Sequence, residues 1–518
     1  MYYFLTDTFA SQLSGIEHAQ IKRLRLFQAH GIAAKIIVRR YNRFMARDLS
    51  ANDLTTDEVI NCFDILQQAD QASSESVTIQ AVIPDDDRLT IVEQDGAIIV
   101  MAGQRRLFVI HGFNQQIART DLVDHVEYFD QVGSLVQADY YDPRGFKSMT
   151  DFYGQDGGVT KEVNYRVDGQ PVVTSFYQRN PQTGNIGDTL WILSTDQGEH
   201  IYDNSDEVIA YVLDRLASQD QTLATFISDR AYAMDTPMRL MKQPAKHYVY
   251  WHNIYTPDYD HPATGQAYDT FAMEMKFADA FDGLIVPSQR ERDDMAARIK
   301  EQGIDEADLP VWRIPAPTVS DEILQAPQQD FTQRRSYHVI CVARIHEQKR
   351  LEDLISAFTI THQSIPEATL SIHGYVNDNE LYQQLQQQVA AAGLTTAVKF
   401  VSYTNDIDNV YNEAQLLALS SRYEGLNMAL VEAQAHGVPL VAYDCNYGSA
   451  DVIVDGQNGY LVENSNVDQL AQRMRQLLEN QAQLAEMSKH AYELADRFSE
   501  SNIWQLWKDA GIVSEEEK

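Results

Sequence analysis

The sequence predicts an α/β protein with two doubly wound parallel sheets and an antiparallel β-meander inserted into the first of them. Strand-like and helical segments alternate over residues 1–76 and resume near residue 205. Between these stretches, short runs rich in Val, Ile, Tyr and Phe are separated by Asp-Gly turns. The alternation is most regular over residues 318–496. A chain of 518 residues is too long for one hydrophobic core, so several domains are expected.

The first domain is predicted to combine residues 1–76 with residues 205–317. It opens on an apolar run without a basic leader, which is typical of a strand rather than a signal peptide. Ser14-Gly15-Ile16-Glu17 then begins a helix that continues to Phe27, and a polar helix is predicted after Thr55. The second half of the domain supplies parallel strands at residues 223–228, 247–251 and 283–287.

The inserted meander is predicted to span residues 77–204. Asp95-Gly96 and Asp168-Gly169 favour the tight turns whose twist matches that of antiparallel strands. The second of these turns separates two alternating runs, residues 162–167 and 172–177. Because helices and parallel strands return after it, the meander is interpreted as an insertion within the first domain.

The C-terminal domain is predicted at residues 318–496, with strands at residues 338–343, 368–373, 398–401, 416–420 and 439–443. Such a sheet binds its ligand at the carboxyl ends of its strands. Residues 497–518 are predicted as a helix that crosses back to the first domain, with Trp504 and Trp507 as its packing face.

Composition excludes several classes of partner. A net charge of −34 argues against binding nucleic acid or an anionic membrane surface, because both are polyanions. No run is long and apolar enough to span a bilayer. Cys62, Cys341 and Cys445 lack metal-ligand spacing and are expected to be buried thiols in a reducing compartment. The prediction is a cytoplasmic protein with at most peripheral membrane association.

The strongest candidate site follows the strand that ends near residue 420. Backbone N–H groups of Gly425, Leu426 and Asn427, at the start of the next helix, can hold a diphosphate. Glu424 can then reach a sugar hydroxyl, and Glu432, two turns along, can accept both ribose hydroxyls. The alternative is that Glu432 only solvates a helix face, although its neighbours are apolar.

Arg344 and Lys349 form a second candidate group in the loop after the first strand of this domain. Two fixed cations on such a loop suit neutralisation of a leaving diphosphate. Taken alone they could be ordinary exposed basic residues. Together with the two glutamates, the functional interpretation is favoured.

These segments resemble family-4 retaining glycosyltransferases of the GT-B fold, which carry an Arg and a Lys in the first loop and a Glu-x7-Glu motif. The resemblance implies two Rossmann-like domains facing a cleft and a nucleotide-sugar donor, with no metal or other cofactor required. It also implies that Arg344 and Lys349 stabilise the leaving phosphates, that Glu424 contacts the donor sugar and that Glu432 holds the ribose.

The same resemblance extends to three further positions. Gly15 occupies the place of the glycine loop where backbone approaches donor and acceptor, although it could simply cap a strand. His252 ends a strand as a sugar-contacting His does in the family, with Trp251 competing for that place. Gly374 matches a donor-loop glycine but lacks the usual second one, and Asn427 stands where many relatives have glycine.

The insertion most resembles that of bacterial teichoic-acid α-glycosyltransferases and of the Ser/Thr glycosyltransferases that modify serine-rich adhesins. The expected reaction moves glucose or GlcNAc from UDP-glucose or UDP-GlcNAc to a poly(alditol phosphate), with a Ser/Thr-rich surface protein as the alternative acceptor. A non-catalytic subunit of a glycosyltransferase complex is a third possibility, and the retained charged residues count against it. The resemblance also implies that the insertion serves oligomer or acceptor contacts, so an oligomer or heterocomplex formed through it is expected.

Two acidic runs could suggest a metal site. Asp85-Asp-Asp87 lies on the entry to the insertion, and Asp406-Ile-Asp408 opens a helix, where acidic residues suit the helix dipole. Both are interpreted as structural. No carboxylate is placed as an obvious nucleophile, so retention is expected through a front-face route in which the leaving phosphate helps to deprotonate the acceptor.

Overall fold

The computed structural model describes residues 1–72, 77–113, 121–180, 182–402, 404 and 406–513. The chain divides into two compact units, Met1–Leu13 with Ala34–Lys246 and Ser14–Ala33 with His247–Lys518. The last five residues of the predicted C-terminal helix, 514–518, lie outside the described residues. All three cysteines are buried and free, as expected.

Four parallel strands of the first unit pair in the order β3-β2-β1-β14. Numbered in chain order with all the others, they are β1 (Tyr2–Thr6), β2 (Ala34–Val38), β3 (Val59–Asn61) and β14 (Ala224–Ser228). The helices of this unit are α2 (Met45–Ser50), α3 (Cys62–Gln67), α4 (Ile79–Val82), α5 (Ser205–Gln219) and α6 (Ala231–Leu240). Every residue of β1 is buried, which explains its continuous apolar run.

The prediction that a helix follows Thr55 is wrong about where that helix begins. Val59–Asn61 form strand β3, and the helix begins only at Cys62. Val59 and Asn61 are fully buried, and the strand pairs with β2. Sheet pairing therefore outweighs the polar helical pattern, and Asn61 caps the helix through the N–H of Phe63 at 2.8 Å.

The meander forms a ten-stranded antiparallel sheet whose strand order follows the sequence. Its strands are β4 (Thr90–Gln94), β5 (Ala97–Ala102), β6 (Arg105–Gly112), β7 (Val123–Phe129), β8 (Leu135–Asp142), β9 (Phe146–Tyr153), β10 (Val159–Tyr165), β11 (Pro171–Arg179), β12 (Ile186–Thr195) and β13 (Gly198–Tyr202). Asp95 and Gly96 both have positive φ, 52° and 78°, as the predicted turn between β4 and β5 requires. The inserted antiparallel sheet is thus confirmed.

The second unit contains α1 (Gly15–Ala29), which begins with a capping box formed by Ser14 and Glu17. Three parallel strands follow later in the chain: β15 (Ala245–Tyr250), whose first two residues precede the unit boundary, β16 (Gly283–Val286) and β17 (Val311–Arg313). Their accompanying helices are α7 (Asp269–Lys276), α8 (Gln289–Glu301) and α9 (Asp321–Gln325).

The remainder of this unit is a six-stranded parallel sheet in the order β20-β19-β18-β21-β22-β23. The strands are β18 (His338–Val342), β19 (Thr369–His373), β20 (Val398–Val401), β21 (Leu416–Leu419), β22 (Leu440–Tyr443) and β23 (Gly459–Val462). The helices are α10 (Leu351–Ser364), α11 (Asn379–Ala391), α12 (Ile407–Glu413), α13 (Met428–Ala435), α14 (Ser449–Val452), α15 (Val467–Glu479), α16 (Gln481–Ala495) and α17 (Glu500–Asp509). This is the doubly wound order, with its topological switch between β18 and β21.

The two tryptophans of α17 pack against α1. Trp507 is 1% exposed and meets the ring of Phe27 edge-on at 5.4 Å. Trp504 meets the same ring at 5.3 Å and stacks on His30 at 4.1 Å. The C-terminal helix therefore contacts a helix from the start of the sequence, and both lie in the second unit.

Candidate functional site

The loops after β18 and β21 lie side by side because these strands pair at the switch point of the six-stranded sheet. Arg344 and Lys349 follow β18, and Glu424 follows β21. Ligands of doubly wound sheets bind in the crevice at this point, outside the carboxyl ends of the strands. The topology thus brings the predicted cations and the first predicted carboxylate to one place.

Lys349 and Glu424 form a buried ion pair. Lys349 Nζ donates to Glu424 Oε1 at 2.5 Å, and the side chains are only 11% and 10% exposed. Asn427 Nδ2 donates to the same oxygen at 3.0 Å. Burying a charge costs on the order of several kcal/mol, which a close partner and additional hydrogen bonds can offset. The two charged groups therefore fix each other's position.

Gln348 connects Arg344 to the second loop. The Arg344 guanidinium lies 3.5 Å from Gln348 Oε1. Gln348 Nε2 donates to the carbonyl of Tyr423 at 2.9 Å, and its own carbonyl accepts from the N–H of Arg422 at 2.8 Å. Gln348 therefore connects Arg344 to the loop that carries Glu424. This role of Gln348 was not predicted from the charged residues of the sequence.

Gly425 lies directly against the peptide bond that follows His252. A Cβ at Gly425 would clash with the carbonyl oxygen of His252 and come within 3.1 Å of the nitrogen of Asn253. Only glycine allows this approach. The strand-end His predicted from the sequence is thus next to the motif that contains Glu424.

Of the two residues that compete for this strand end, Trp251 is bound elsewhere. Its indole Nε1 donates to Glu274 Oε2 at 2.9 Å, and Glu274 is fully buried. The His252 ring is half-buried and stacks on Tyr250 with centroids 4.2 Å apart. His252 therefore suits the predicted sugar contact better than Trp251, and that contact remains a prediction.

The N-terminus of α13 is capped by Asn427, whose Oδ1 accepts from the N–H of Ala429 at 2.9 Å. Leu426, just before the cap, is 8% exposed. Gly15, the first residue of α1, lies beside the first residue of α13, since a Cβ there would be 3.8 Å from Met428 Sδ. The side chain of Met428 thus reaches the start of α1, and the N-terminus of each helix favours an anion near it.

Glu432 is held by two residues that sequence reasoning missed. Lys22 Nζ of α1 donates to Oε1 at 2.9 Å, and Tyr411 donates its hydroxyl to Oε2 at 3.0 Å. Burial raises the pKa of Glu432, but the Lys22 charge and these hydrogen bonds outweigh it, so the pKa lies below its ordinary value. Glu432 is therefore an ionised side chain in a polar cluster, and its predicted ribose contact is untested.

Lys22 could have been found from the helical pattern of α1. It lies seven residues, about two turns, after Gly15 and so faces the same side of the helix. Tyr411 gave no comparable signal, because its contact with Glu432 arises from the packing of α12 against the sheet.

Gly374 supports the first loop. A Cβ there would clash with the carbonyl of Ala343 and lie 3.2 Å from the nitrogen of Arg344. The N–H of Ile345 then donates to the carbonyl of Tyr375 at 3.0 Å. A direct donor contact for Gly374 stays a prediction.

The loop after β22 packs onto the Glu424 loop. The N–H of Glu424 donates to the carbonyl of Asn446 at 3.0 Å, and the N–H of Tyr447 donates to the carbonyl of Glu424 at 2.7 Å. A Cβ at Gly448 would lie 2.5 Å from the carbonyl oxygen of Gly425. Tyr447 also donates its hydroxyl to Asp294 of α8 at 2.8 Å. Glu424 is thus held through its backbone as well as its side chain.

The two acidic runs have local partners. Asp86 accepts from the guanidinium of Arg88 at 2.7 Å. Asp406 accepts from Asn409 at 2.7 Å, and Asp408 lies 3.3 Å from the ring of His436. These contacts agree with a structural interpretation of both runs.

Adjacent strand-end loops thus carry a buried Lys–Glu pair, a nearby Arg and a capped helix N-terminus, the set of groups that the sequence predicted for a glycosyltransferase of the GT-B fold. Residues 325–494 match the family described as Glycosyl transferases group 1, and residues 93–187 match the family described as GtfB middle domain. The six-stranded sheet of the second unit thus lies within the stretch that matches the group 1 glycosyltransferase family.

The chain is similar to two groups of named proteins. It is 24% identical to the UDP-N-acetylglucosamine–peptide N-acetylglucosaminyltransferase GtfA subunit of Streptococcus gordonii, over 92% of this chain and 87% of that protein. It is 22% identical to the poly(glycerol-phosphate) alpha-glucosyltransferase of Bacillus subtilis, over 75% of this chain but only 55% of that protein's length.

The fold is similar to that of a solved mutant of Staphylococcus aureus TarM in complex with fondaparinux, alpha-GlcNAc-glycerol and UDP. The TM-score is 0.81 at 18% identity, and the match covers 98% of this chain and 99% of that one. The predicted GT-B fold with an inserted antiparallel sheet is confirmed by this likeness.

Proposed function

We propose that this protein transfers a glucose-type sugar, glucose or GlcNAc, from a UDP-sugar to a hydroxyl of a poly(alditol phosphate), with retention of the anomeric configuration. The observation that carries the proposal is the buried Lys349–Glu424 pair at the switch point of the nucleotide-sugar domain. The S. gordonii and B. subtilis relatives are both named as sugar transferases, and the similar TarM structure contains UDP.

The chemistry assigned to these residues is front-face displacement. The acceptor oxygen bonds to the anomeric carbon while the bond from that carbon to the diphosphate breaks, and the acceptor proton passes to the departing phosphate. Lys349 and Arg344 stabilise the charge that develops on the diphosphate. Lys349 Nζ has three donors and Glu424 engages one, so the ammonium can contact phosphate without leaving its partner.

Glu424 and His252 are assigned to the sugar. Lys349 and Asn427 both contact Oε1 of Glu424, so Oε2 is the oxygen that we assign to a sugar hydroxyl. The His252 peptide bond lies against Gly425, which supports a role for the His252 ring at the same sugar. The backbone around Leu426 and the Asn427 cap are assigned to the diphosphate, together with Gly15, and Glu432 to the ribose.

Ser and Thr side chains of a surface protein are the second candidate acceptor. The S. gordonii relative, named as a peptide N-acetylglucosaminyltransferase subunit, matches over more of both chains than the B. subtilis polymer glucosyltransferase does. A net charge of −34 also suits a neutral peptide better than a polyanion. A non-catalytic role is disfavoured because the charged residues of the site are present and paired.

The test offers each labelled donor, UDP-glucose or UDP-GlcNAc, with each acceptor: poly(glycerol phosphate), poly(ribitol phosphate) and a Ser/Thr-rich peptide. Transfer to a polyol phosphate with an α-linked product by NMR is expected. Transfer to the peptide alone would select the second candidate. A β-linked product would contradict retention, and failure with every pair would contradict the proposal.

A variant pair shows whether the activity belongs to this site. Lys349→Ala should lower transfer by about 10²–10³-fold, the usual effect of losing one group that stabilises developing charge. The matched control is Lys489→Ala, which removes a lysine from an ion pair with Glu486 at 2.9 Å that is exposed and therefore screened by solvent. It should leave transfer unchanged. Wild-type activity in Lys349→Ala would refute the assignment.

We also propose a cytoplasmic location and assembly through the meander. Three buried free cysteines suit a reducing compartment. Among the described residues, no helix is both long and apolar enough to cross a bilayer. The match of residues 93–187 to a GtfB domain, and the naming of a relative as a subunit, support an oligomer or heterocomplex. Light scattering of the purified chain, alone and with a partner subunit, tests this.

A further inference from the structure

Three side chains with metal-ligand chemistry lie on one face of the meander, which belongs to the first unit, whereas the residues assigned to sugar transfer belong to the second. His111 of β6 is directly opposite His125 of β7, and Glu127 follows two residues later on the same face. The imidazole centroids are 4.2 Å apart, and His111 Nε2 lies 3.2 Å from Glu127 Oε2. One ligand atom from each of the three residues lies within 4.8 Å of the others.

The surroundings of His125 resemble the outer shell of a metal-bound histidine. His125 Nδ1 lies 2.8 Å from Asp124 Oδ2, and Asp124 in turn pairs with Arg43 at 2.6 Å. A carboxylate on Nδ1 favours the tautomer that carries its proton there, which leaves the lone pair of Nε2 for a metal. Arg43 keeps this carboxylate in place.

The cluster is accessible to an ion from solution. The side chains of His111, His125 and Glu127 are 33%, 23% and 30% exposed, so each is partly desolvated yet open on one side. Two imidazole nitrogens and a carboxylate oxygen form a ligand set that Zn²⁺ prefers, with distances of about 2.0–2.2 Å. Small side-chain rotations would bring the three atoms to one ion.

We propose that His111, His125 and Glu127 bind one Zn²⁺ ion, with Asp124 as the residue that orients His125. The ion links strands β6 and β7 and leaves a fourth position for water. The glycosyl-transfer chemistry does not use this site, so the proposal stands independently of the acceptor and of the donor sugar.

The test measures zinc binding to the full chain after chelator treatment, by titration calorimetry and by the melting temperature. One ion per chain and a higher melting temperature with zinc are expected. His111→Ala and Glu127→Gln should each weaken binding at least about tenfold, and Asp124→Asn should weaken it by about 10–100-fold without abolishing it. Far-UV circular dichroism checks that each variant is folded.

The control is His200→Ala, which removes a histidine from strand β13 of the same sheet, where its ring contacts Thr195 and Tyr202. It should bind zinc as the wild type does. Equal loss in His200→Ala, unchanged binding in folded His111→Ala, or no zinc binding by the wild-type chain would overturn the proposal. Co²⁺ substitution adds a readout, since absorption bands of a four-coordinate ion should disappear in Glu127→Gln.

Discussion

At the scale of single residues, the central feature of the site is that Lys349 and Glu424 neutralise each other's charge. Lys349 and Glu424 were assigned from the sequence to different parts of the donor, phosphate and sugar, yet they contact each other at 2.5 Å. Each would be costly to bury alone. Their pairing offsets that cost, so that a cation and an anion can both be held at the switch point with side chains only 11% and 10% exposed.

Gly425→Ala should damage the site through one methyl group. The new Cβ would clash with the His252 carbonyl, so either the Glu424 loop or the end of β15 must move. A displacement of about 1 Å in the groups assigned to the reaction can lower its rate by as much as about 10²-fold. We expect kcat/KM for the UDP-sugar to fall at least about tenfold, measured by steady-state kinetics.

The matched control is Gly187→Ala, at a position of β12 where an added Cβ meets nothing within 4 Å. It should leave both the kinetics and the melting temperature unchanged. Normal kcat/KM in Gly425→Ala would show that the close approach to His252 has no part in transfer.

The residues that the sequence predicted are those whose roles follow from spacing along one segment. The eight-residue separation of Glu424 and Glu432 and the loop position of Lys349 are visible without a structure. Lys22 and Gln348 were missed because their contacts join distant segments: Lys22 is 410 positions from Glu432. Only the packing of α1 beside α13 creates that ion pair.

At the scale of elements, Asn427 serves helix α13 and Glu424 at once. Asn427→Ala should remove the cap and the hydrogen bond to Glu424. Loss of a cap typically costs about 1 kcal/mol, and transfer should fall as Glu424 loses its support. Urea unfolding and steady-state kinetics measure the two effects.

Asn466→Ala is a close control. Asn466 caps α15 through the N–H of Gln469 at 3.0 Å and donates to Glu463, three residues earlier, as Asn427 does to Glu424. It should cost a similar free energy of unfolding and leave transfer intact. Equal activity loss in both variants would mean that stability alone, rather than Glu424, explains the effect.

Strand β18 should make stability depend on pH through His338. Burial, with Arg335 and His373 nearby, lowers the pKa of His338 from 6.5 to about 4. Between these values the unfolded chain binds a proton that the native chain does not, so the free energy of unfolding falls as pH falls. From pH 7 to pH 5 this amounts to about 2 kcal/mol.

His338→Gln can keep the hydrogen bond to Thr369, 2.9 Å from the ring in the native chain, but cannot titrate. Its free energy of unfolding in urea should therefore fall less than that of the wild type over the same pH range. If the free energy of unfolding depends on pH identically in the two chains, a group other than His338 is responsible for the dependence.

Elements with a clear local period were predictable, and those decided by sheet pairing were not. The parallel strands of the C-terminal sheet and the Asp95-Gly96 turn match the sequence expectations. The helix expected after Thr55 failed because Val59 and Asn61 are buried in a strand beside β2. A polar pattern cannot show that a neighbouring strand is available.

At the scale of the whole molecule, the charge of −34 should affect which acceptor is used. Raising the salt concentration from about 0.01 M to about 0.1 M shortens the screening length from about 30 Å to about 10 Å. Repulsion of a polyanion then weakens, so KM for poly(glycerol phosphate) should fall, while KM for an uncharged Ser/Thr-rich peptide should change little. Steady-state kinetics at both salt concentrations measure this, and a KM for the polymer that rises with salt would reveal a local cationic groove.

Helix α1 belongs by its contacts to the second unit, although its sequence lies between β1 and β2 of the first. The chain therefore passes from one unit to the other after residues 13, 33 and 246. A chimaera with a related transferase that exchanges only the segment from residue 247 onward would combine α1 of one parent with α13 of the other. To inherit a matched Lys22–Glu432 pair, it must also carry residues 14–33.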